Sequence, residues 1–302
     1  MHYDYSPMPE RQKHRREVQI FLQRHFSNQN WVFSMPSGTG METYFVQGSE
    51  QGFFVKVGVL VERYQIMAEI GLAPPLLVCG QLESGSSIIV QPLINGRNPS
   101  RRDYREQMEK VAALIHTMHT SLRLRENFPP PSSTLHKDTG LRALNSLRQR
   151  WERHRAQLPS VAEFVDNSLD ALDSQIKQVS TSGLVASHND ICNANWLFAS
   201  DGKIYIVDLE SMSMEDPAFD MGALLWWYYP PELRRQFLDI AGYEYDHEFR
   251  SRMRIRMALH CLSITLPREQ SFDTFSPEHY DEALEDFRAI LDGKENPQGY
   301  DI

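Results

Sequence analysis

A polar stretch bracketed by short apolar runs carries the side chains best suited to chemistry. Leu184, Val185 and Ala186 suit a buried strand, and His188-Asn189-Asp190-Ile191-Cys192-Asn193-Ala194-Asn195 is a polar loop. Trp196 to Phe198 and Ile204 to Val207 are two further β-prone runs, and Asp201-Gly202 between them is a hairpin signal. With Asp201 and Gly202 as the two turn residues, Phe198 faces Tyr205, Trp196 faces Val207 and Asn195 faces Asp208. Facing residues share one side of the pair, with Cβ atoms about 4.5–5.5 Å apart. The expected result is an amide oxygen beside a carboxylate, with Asp190 in the loop that feeds them. Such an oxygen-rich set suits Mg²⁺, which fills its octahedron with water and phosphate oxygens. The plainer alternative is that these residues only cap strand ends and turns.

The spacing adds to this. His188, Asp190 and Asn195 follow the kinase catalytic-loop pattern H-x-D-x-x-x-x-N, with an Asp on the next strand. Asp208-Leu209-Glu210 stands where protein kinases have Asp-Phe-Gly. Together with Asp216-Pro217-Ala218-Phe219-Asp220, this resembles the aminoglycoside phosphotransferase and choline kinase superfamily, from about Trp31 to about Tyr229. The resemblance is specific over 188–220 and looser before it. It implies a protein-kinase-like fold and transfer of the ATP γ-phosphoryl group to a small-molecule hydroxyl. Asp190 is then the catalytic base, and Asn195 and Asp208 hold Mg²⁺. His188 braces the loop from beneath, and Asp220 hydrogen-bonds loop backbone. Glu210 departs from the protein-kinase Gly and is similar to the Asp-x-Glu of choline kinases. It assists the metal or bonds only to the loop.

The elements that must position these groups lie upstream. Ser37-Gly38-Thr39-Gly40 falls between two strand-like runs, where backbone N–H groups can approach phosphates closely. The next strand, Gly52–Val57, carries Lys56 inside an apolar run, where an ammonium needs a partner or a route to water. In the kinase pattern this Lys holds the nucleotide phosphates and pairs with a helix Glu. Glu62 and Glu69 on the segment Val61–Ile70 are the candidates, with Glu62 favoured. Ser87–Gly96 resembles the family's last N-lobe strand and hinge. Pro92 lacks an N–H, so the adenine edge is expected to meet the carbonyl of Gln91 and the N–H of Leu93.

From Tyr104 to Leu122 the apolar residues recur in steps of three and four, a helix with one buried face. His116 and His119 on it read as packed, hydrogen-bonded residues rather than a metal pair. Two more amphipathic helices are expected over 141–157 and 160–179. The run Trp226-Trp227-Tyr228-Tyr229, with Glu232 and Asp239 beyond, suits a cationic acceptor through cation–π and charge attraction. Against that, Leu224, Leu225 and Tyr228 share one helix face, which would be core.

Composition bounds the rest. The 302 residues are enough for two lobes, read here as an N-lobe over 1–94 and a catalytic C-lobe over 95–302. The expected class is α+β: a two-lobed protein-kinase-like fold, with a small antiparallel-sheet N-lobe and a mostly helical C-lobe. A net charge of −9 disfavours nucleic acid and mildly favours cationic or neutral substrates. No apolar run approaches a membrane span. Three well-separated cysteines (Cys79, Cys192, Cys261) fit a reducing, cytoplasmic setting. The expected partner is a small hydroxyl-bearing molecule; the sequence leaves oligomeric state open. A protein kinase is disfavoured, because no Ala-Pro-Glu follows Asp208 and the chain to Asp220 is too short for a long activation loop. Two other readings remain: a nucleotide-binding regulator without turnover, and a metallohydrolase using His188, Asp190 and Asp208, which would leave Lys56 unexplained.

Overall fold

The computed structural model describes residues 13–26, 30–36, 41–180, 183–267 and 280–300. In chain order it begins with helix α1 (Arg15–His25) and strands β1 (Val32–Ser34), β2 (Thr43–Gln47) and β3 (Gly52–Val57). Helix α2 (Val61–Glu69) and strands β4 (Val78–Gln81), β5 (Ser87–Pro92) and β6 (Gly96–Arg97) follow. Helices α3 (Arg101–Glu106), α4 (Met108–Thr120), α5 (Leu122–Asn127), α6 (His136–His154) and α7 (Ala162–Gln178) lead to β7 (Val185–Ser187). Then come β8 (Trp196–Ala199), β9 (Ile204–Ile206) and β10 (Ser213–Glu215), and helices α8 (Pro217–Tyr228), α9 (Pro231–Ala241), α10 (His247–Thr265), α11 (Tyr280–Ala283) and α12 (Glu285–Leu291). No helix among the described residues is long and apolar enough to cross a membrane.

The chain divides into two compact units, 1–98 with 195–210, and 99–194 with 211–302. In the first, an antiparallel sheet runs in the order β1-β2-β3-β5-β4. Strand alternation sends Tyr44, Val46, Phe53, Val55 and Val57 to one face, where Val18, Phe21 and Leu22 of α1 close a core. Lys56 therefore points to the opposite face. Its strand is flanked by β2 and β5, so it is no edge lysine reaching for water.

The hairpin β8–β9 belongs to this first unit, although a simple cut at residue 94 puts it in the second. The reason is pairing. Strand β6 pairs with β8, the Asn95 carbonyl accepts from the Ser200 N–H, and the Leu72 carbonyl accepts from the Ile206 N–H. The backbones come so close that a Cβ on Gly96 would lie 2.8 Å from the Phe198 carbonyl oxygen.

The register of that hairpin differs from expectation by one residue. Trp196 pairs with Ile206, Leu197 with Tyr205 and Phe198 with Ile204. The Ala199 N–H bonds the Lys203 carbonyl, and the Gly202 N–H bonds the Ala199 carbonyl. The turn thus spans three residues, with Gly202 left-handed at φ 84°. Type I turns closed by a left-handed Gly are the commonest three-residue hairpin loops. Asn195 accordingly bonds Val207, its carbonyl accepting the Val207 N–H at 2.9 Å.

The second unit is helical. Strands β7 and β10 pair antiparallel, and the loop that begins at His188 leaves the end of β7. Helix α8 is capped by Asp216, whose side chain accepts from the Ala218 N–H, with Pro217 in the first turn. Its packing against α10 is close: a Cβ on Gly222 would meet the Met253 carbonyl oxygen at 3.0 Å.

Candidate active site

In the first unit the chemistry centres on Lys56, which is 3% exposed. Its ammonium donates to Asp208 at 2.5 Å, to both oxygens of Glu210 at 2.9 and 3.0 Å, and to the Tyr64 hydroxyl at 3.1 Å. The Tyr64 hydroxyl donates in turn to Glu210 at 2.8 Å. Burial pulls the Lys56 ammonium down, but Tyr64 and the two carboxylates more than offset it and hold it above its ordinary value. Burial also pushes the Tyr64 phenol up, so it stays neutral and serves as a hydrogen-bonding bridge. Burial raises Glu210 as well, with Lys56 opposing and the Asp208 carboxylate adding.

This arrangement corrects the expected ion pair. Glu62 is exposed on α2, and Glu69 is exposed at its end, hydrogen-bonded by Gln65. A helix repeats every 3.6 residues, and the residues of α2 turned inward are Arg63, Tyr64 and Met67. Tyr64 therefore meets the lysine. Arg63 donates to the carbonyls of Leu209 and Glu210 at 2.8 and 3.2 Å, fixing the backbone that follows Asp208. Neither Arg63 nor Tyr64 was legible as a site residue in advance.

Asp208 has φ 63° and Asn189 φ 65°, the two non-glycine residues with positive φ among those described. Asn and Asp tolerate this region best, and such backbone concentrates at functional sites. At Asp208 it ends the strand, so the carboxylate direction no longer follows strand alternation. That is why the side chain reaches Lys56 even though the register differs from the one expected.

In the second unit the loop is suspended from Asp220. The His188 and Asn189 N–H groups donate to its two oxygens at 2.8 and 3.0 Å. His119 Nε2 lies 3.1 Å from Asp220, and His119 Nδ1 lies 2.8 Å from the Tyr243 hydroxyl. Burial pushes Asp220 up, but the His119 contact, His188 and Ser187 outweigh it, leaving it below the ordinary carboxylate range. His119 is thus the buttress of the loop's anchor, while the His116 ring bonds the Ala241 carbonyl. Asn189 donates to the Ser211 carbonyl and the Ser213 hydroxyl, and His188 is fully buried. Asp190, between these anchors, is partly exposed.

The aromatic run separates by face. Tyr228 accepts from the Asn193 N–H at 2.9 Å and stacks on Tyr104 with centroids 4.3 Å apart. Trp226 lies on the other side of α8, Trp227 packs edge-on against it, and Tyr229 is buried. Glu232 is exposed at the start of α9. His260, on α10, packs edge-on against Phe219 at 5.7 Å and is electrostatically coupled to Asp190. No sequence motif marks it.

One expectation at the nucleotide end changes. The Leu93 N–H, expected to face adenine, donates to the Gly52 carbonyl at 2.9 Å and extends the β3–β5 ladder. Gln91 is buried, its side-chain amide donating to the Pro74 carbonyl. Ser37, Gly38, Thr39 and Gly40 lie outside the described residues.

An antiparallel-sheet unit joined to a helical unit is the protein-kinase-like architecture, and solved structures share it. The choline kinase LicA from Streptococcus pneumoniae matches at 16% identity and TM-score 0.64, covering 91% of this chain and 98% of that one. A choline/ethanolamine kinase family protein from Mesorhizobium loti matches at 15% and 0.63, covering 95% and 96%. The GDP complex of aminoglycoside 2'-phosphotransferase-IIIa matches at 12% and 0.63, covering 92% and 98%. The sequence profile of the phosphotransferase enzyme family matches residues 19–254, and the chain belongs to that family. It is a phosphotransferase.

Proposed function

We propose that the protein moves the γ-phosphoryl group of ATP to a hydroxyl of a small cationic amino alcohol. The observation that carries the transfer is Lys56: a buried central-strand lysine gathered with Asp208, Glu210 and Tyr64. A buried ammonium needs compensation, and a cluster of this kind is a phosphate-neutralising group in its ground state. Lys56 neutralises phosphate charge; Asp190 orients the acceptor hydroxyl and accepts its proton. The GDP complex of a neighbouring fold supports a nucleoside triphosphate donor.

The donor chemistry fits magnesium. Asp208 and Glu210 bring two carboxylates against one ammonium, a surplus of negative charge, and the Asp208 side chain is half-exposed. Among the described residues no three His, Cys, Asp or Glu side chains form a metal set by themselves. Asn195 and Asp208 would be the protein ligands, the remaining sites falling to water and phosphate, as Mg²⁺ prefers. The ion would supply charge neutralisation on the transferring phosphates.

The cationic acceptor rests on the second unit. Burial pulls the His260 imidazole down, Arg256 adding and Asp190 opposing, so it adds no positive charge beside Asp190 at neutral pH. Arg256 is committed to Glu215 at 2.9 Å and to the Phe219 ring at 4.8 Å. Tyr228, partly exposed and backed by the buried Tyr104 ring, offers aromatic surface next to the loop.

The test is Asp190→Asn, assayed for acceptor-stimulated ADP release. A general base contributes about 10²–10⁴-fold, so kcat should fall by about two orders or more with ATP affinity retained. Unchanged kcat removes the base role. ATP binding by the wild type without turnover on any acceptor would indicate a regulator instead.

A further inference from the structure

Behind α8, on the side away from the catalytic loop, lies a concavity of ≈ 340 Å³. That is within the roughly 300–1,000 Å³ of small-molecule sites. Its α8 wall is Gly222, Leu225 and Trp226. At 3.6 residues per turn these fall on the helix side opposite Asp220, so this site is separate from the loop that Asp220 holds.

The lining is strongly basic in a chain of net charge −9. His247, Arg250 and Arg254 come from one face of α10, Arg234 from α9, and Lys294 from the segment after α12. Glu295 is the acidic residue of the wall, and it is taken up by Arg234. Lys294 pairs with Asp292 at 2.8 Å. Arg250 donates to the Asp246 carbonyl at 3.2 Å and lies over the Tyr245 ring at 5.2 Å, with no carboxylate partner among the described residues. Arg254 is exposed and has neither an ion pair nor a hydrogen bond among them. Two guanidinium groups one helical turn apart thus face a shared hollow with their charge unmatched. Beside them the wall is apolar, formed by Leu225, Met253, Met257 and Ile290.

We propose that this concavity binds a small anionic metabolite, a phosphate- or carboxylate-bearing compound with an apolar portion. Arg250 and Arg254 clamp the anion, and the Leu225–Met257 side receives the rest. Guanidinium forks match phosphate and carboxylate oxygens two at a time. The inference stands on the second unit alone and does not depend on the acceptor proposed above.

Calorimetric titration of the full chain tests it, with pyrophosphate and citrate as phosphate and carboxylate probes at constant ionic strength. The variants are Arg250→Ala with Arg254→Ala, both at exposed positions, and separately Lys56→Met to report on the phosphates' other site. Saturable binding by the wild type, weakened tenfold or more in the arginine double variant, is the expected result. Partial recovery when Arg250→Lys is combined with Arg254→Lys would support a charge clamp. An isotherm unchanged in the arginine variant, binding abolished only by Lys56→Met, or no saturable binding of either probe would overturn the proposal. Whichever probe binds more tightly identifies the anion class.

Discussion

Lys56 shows how one buried charge organises its surroundings. It is held by two carboxylates and a phenol, and burial raises two of these partners, Glu210 and Tyr64. Lys56→Met keeps bulk and removes the charge, leaving Asp208 and Glu210 facing each other uncompensated. Breaking a buried pair from one side costs about 3–5 kcal/mol, less where a partner is exposed as Asp208 is. The expected outcome is therefore a modest fall in melting temperature together with loss of ATP-dependent turnover. Tyr64→Phe separates the two effects. It removes the bridge but no charge, so turnover should drop several-fold while the fold stays intact. If thermal melts and steady-state assays show wild-type behaviour for Tyr64→Phe, Tyr64 is filler and Lys56 depends on the carboxylates alone. The lysine was legible because an ammonium inside an apolar run is chemically conspicuous. Its partner was not, because Glu62 and Tyr64 are both helix residues and only the rotation of α2 decides which faces inward.

At the scale of elements, the loop after β7 is a suspended structure whose hanger is Asp220. That residue is buried, is held below the ordinary carboxylate range, and binds the His188 and Asn189 N–H groups and His119. A carboxyl with a depressed folded-state pKa stabilises the protein above its unfolded pKa, about 3.9, and that stability is lost as pH falls through the folded value. Acid unfolding of the wild type should therefore include a proton uptake that Asp220→Asn lacks. Asp220→Ala should cost about 3–5 kcal/mol, because it strands buried donors. Equal melting temperatures for wild type and Asp220→Ala between pH 5 and 8 would show that the loop does not hang from this residue. The loop's motif could be read from spacing, and so could the existence of the β8–β9 hairpin. Its register could not. Asp-Gly fits a two-residue turn and the tail of a three-residue turn equally well, and one residue of slip reverses every face. Asp208 escapes that reversal only through its left-handed backbone, which no pattern of residue types displays.

On the whole molecule, charge sets what is attracted and where. The net −9 draws cations over a distance of about 8 Å, the Debye length at physiological ionic strength. The basic hollow behind α8 is the local exception, and its two unmatched arginines lie on the far side of α8 from Asp220. Beside the loop, the Asp190 charge acts on His260, kept neutral by burial, and on Tyr228, whose phenol burial pushes up to about 12. A cation there meets the Asp190 carboxylate and the partly exposed Tyr228 ring, and no positive charge from His260, although Arg101 also acts on Tyr228. Each cation–π contact contributes roughly 0.5–2 kcal/mol. Choline, ethanolamine, aminoglycosides and neutral sugars should therefore rank as acceptors with the cations first. Their KM should rise as salt is raised from low to physiological strength, while kcat changes little, because screening weakens encounter more than chemistry. Tyr228→Ala should raise KM for the cations more than for a neutral alcohol. If neutral alcohols alone are phosphorylated, with KM indifferent to salt and to Tyr228, then the aromatic surface beside Asp190 is loop support and the acceptor carries no charge.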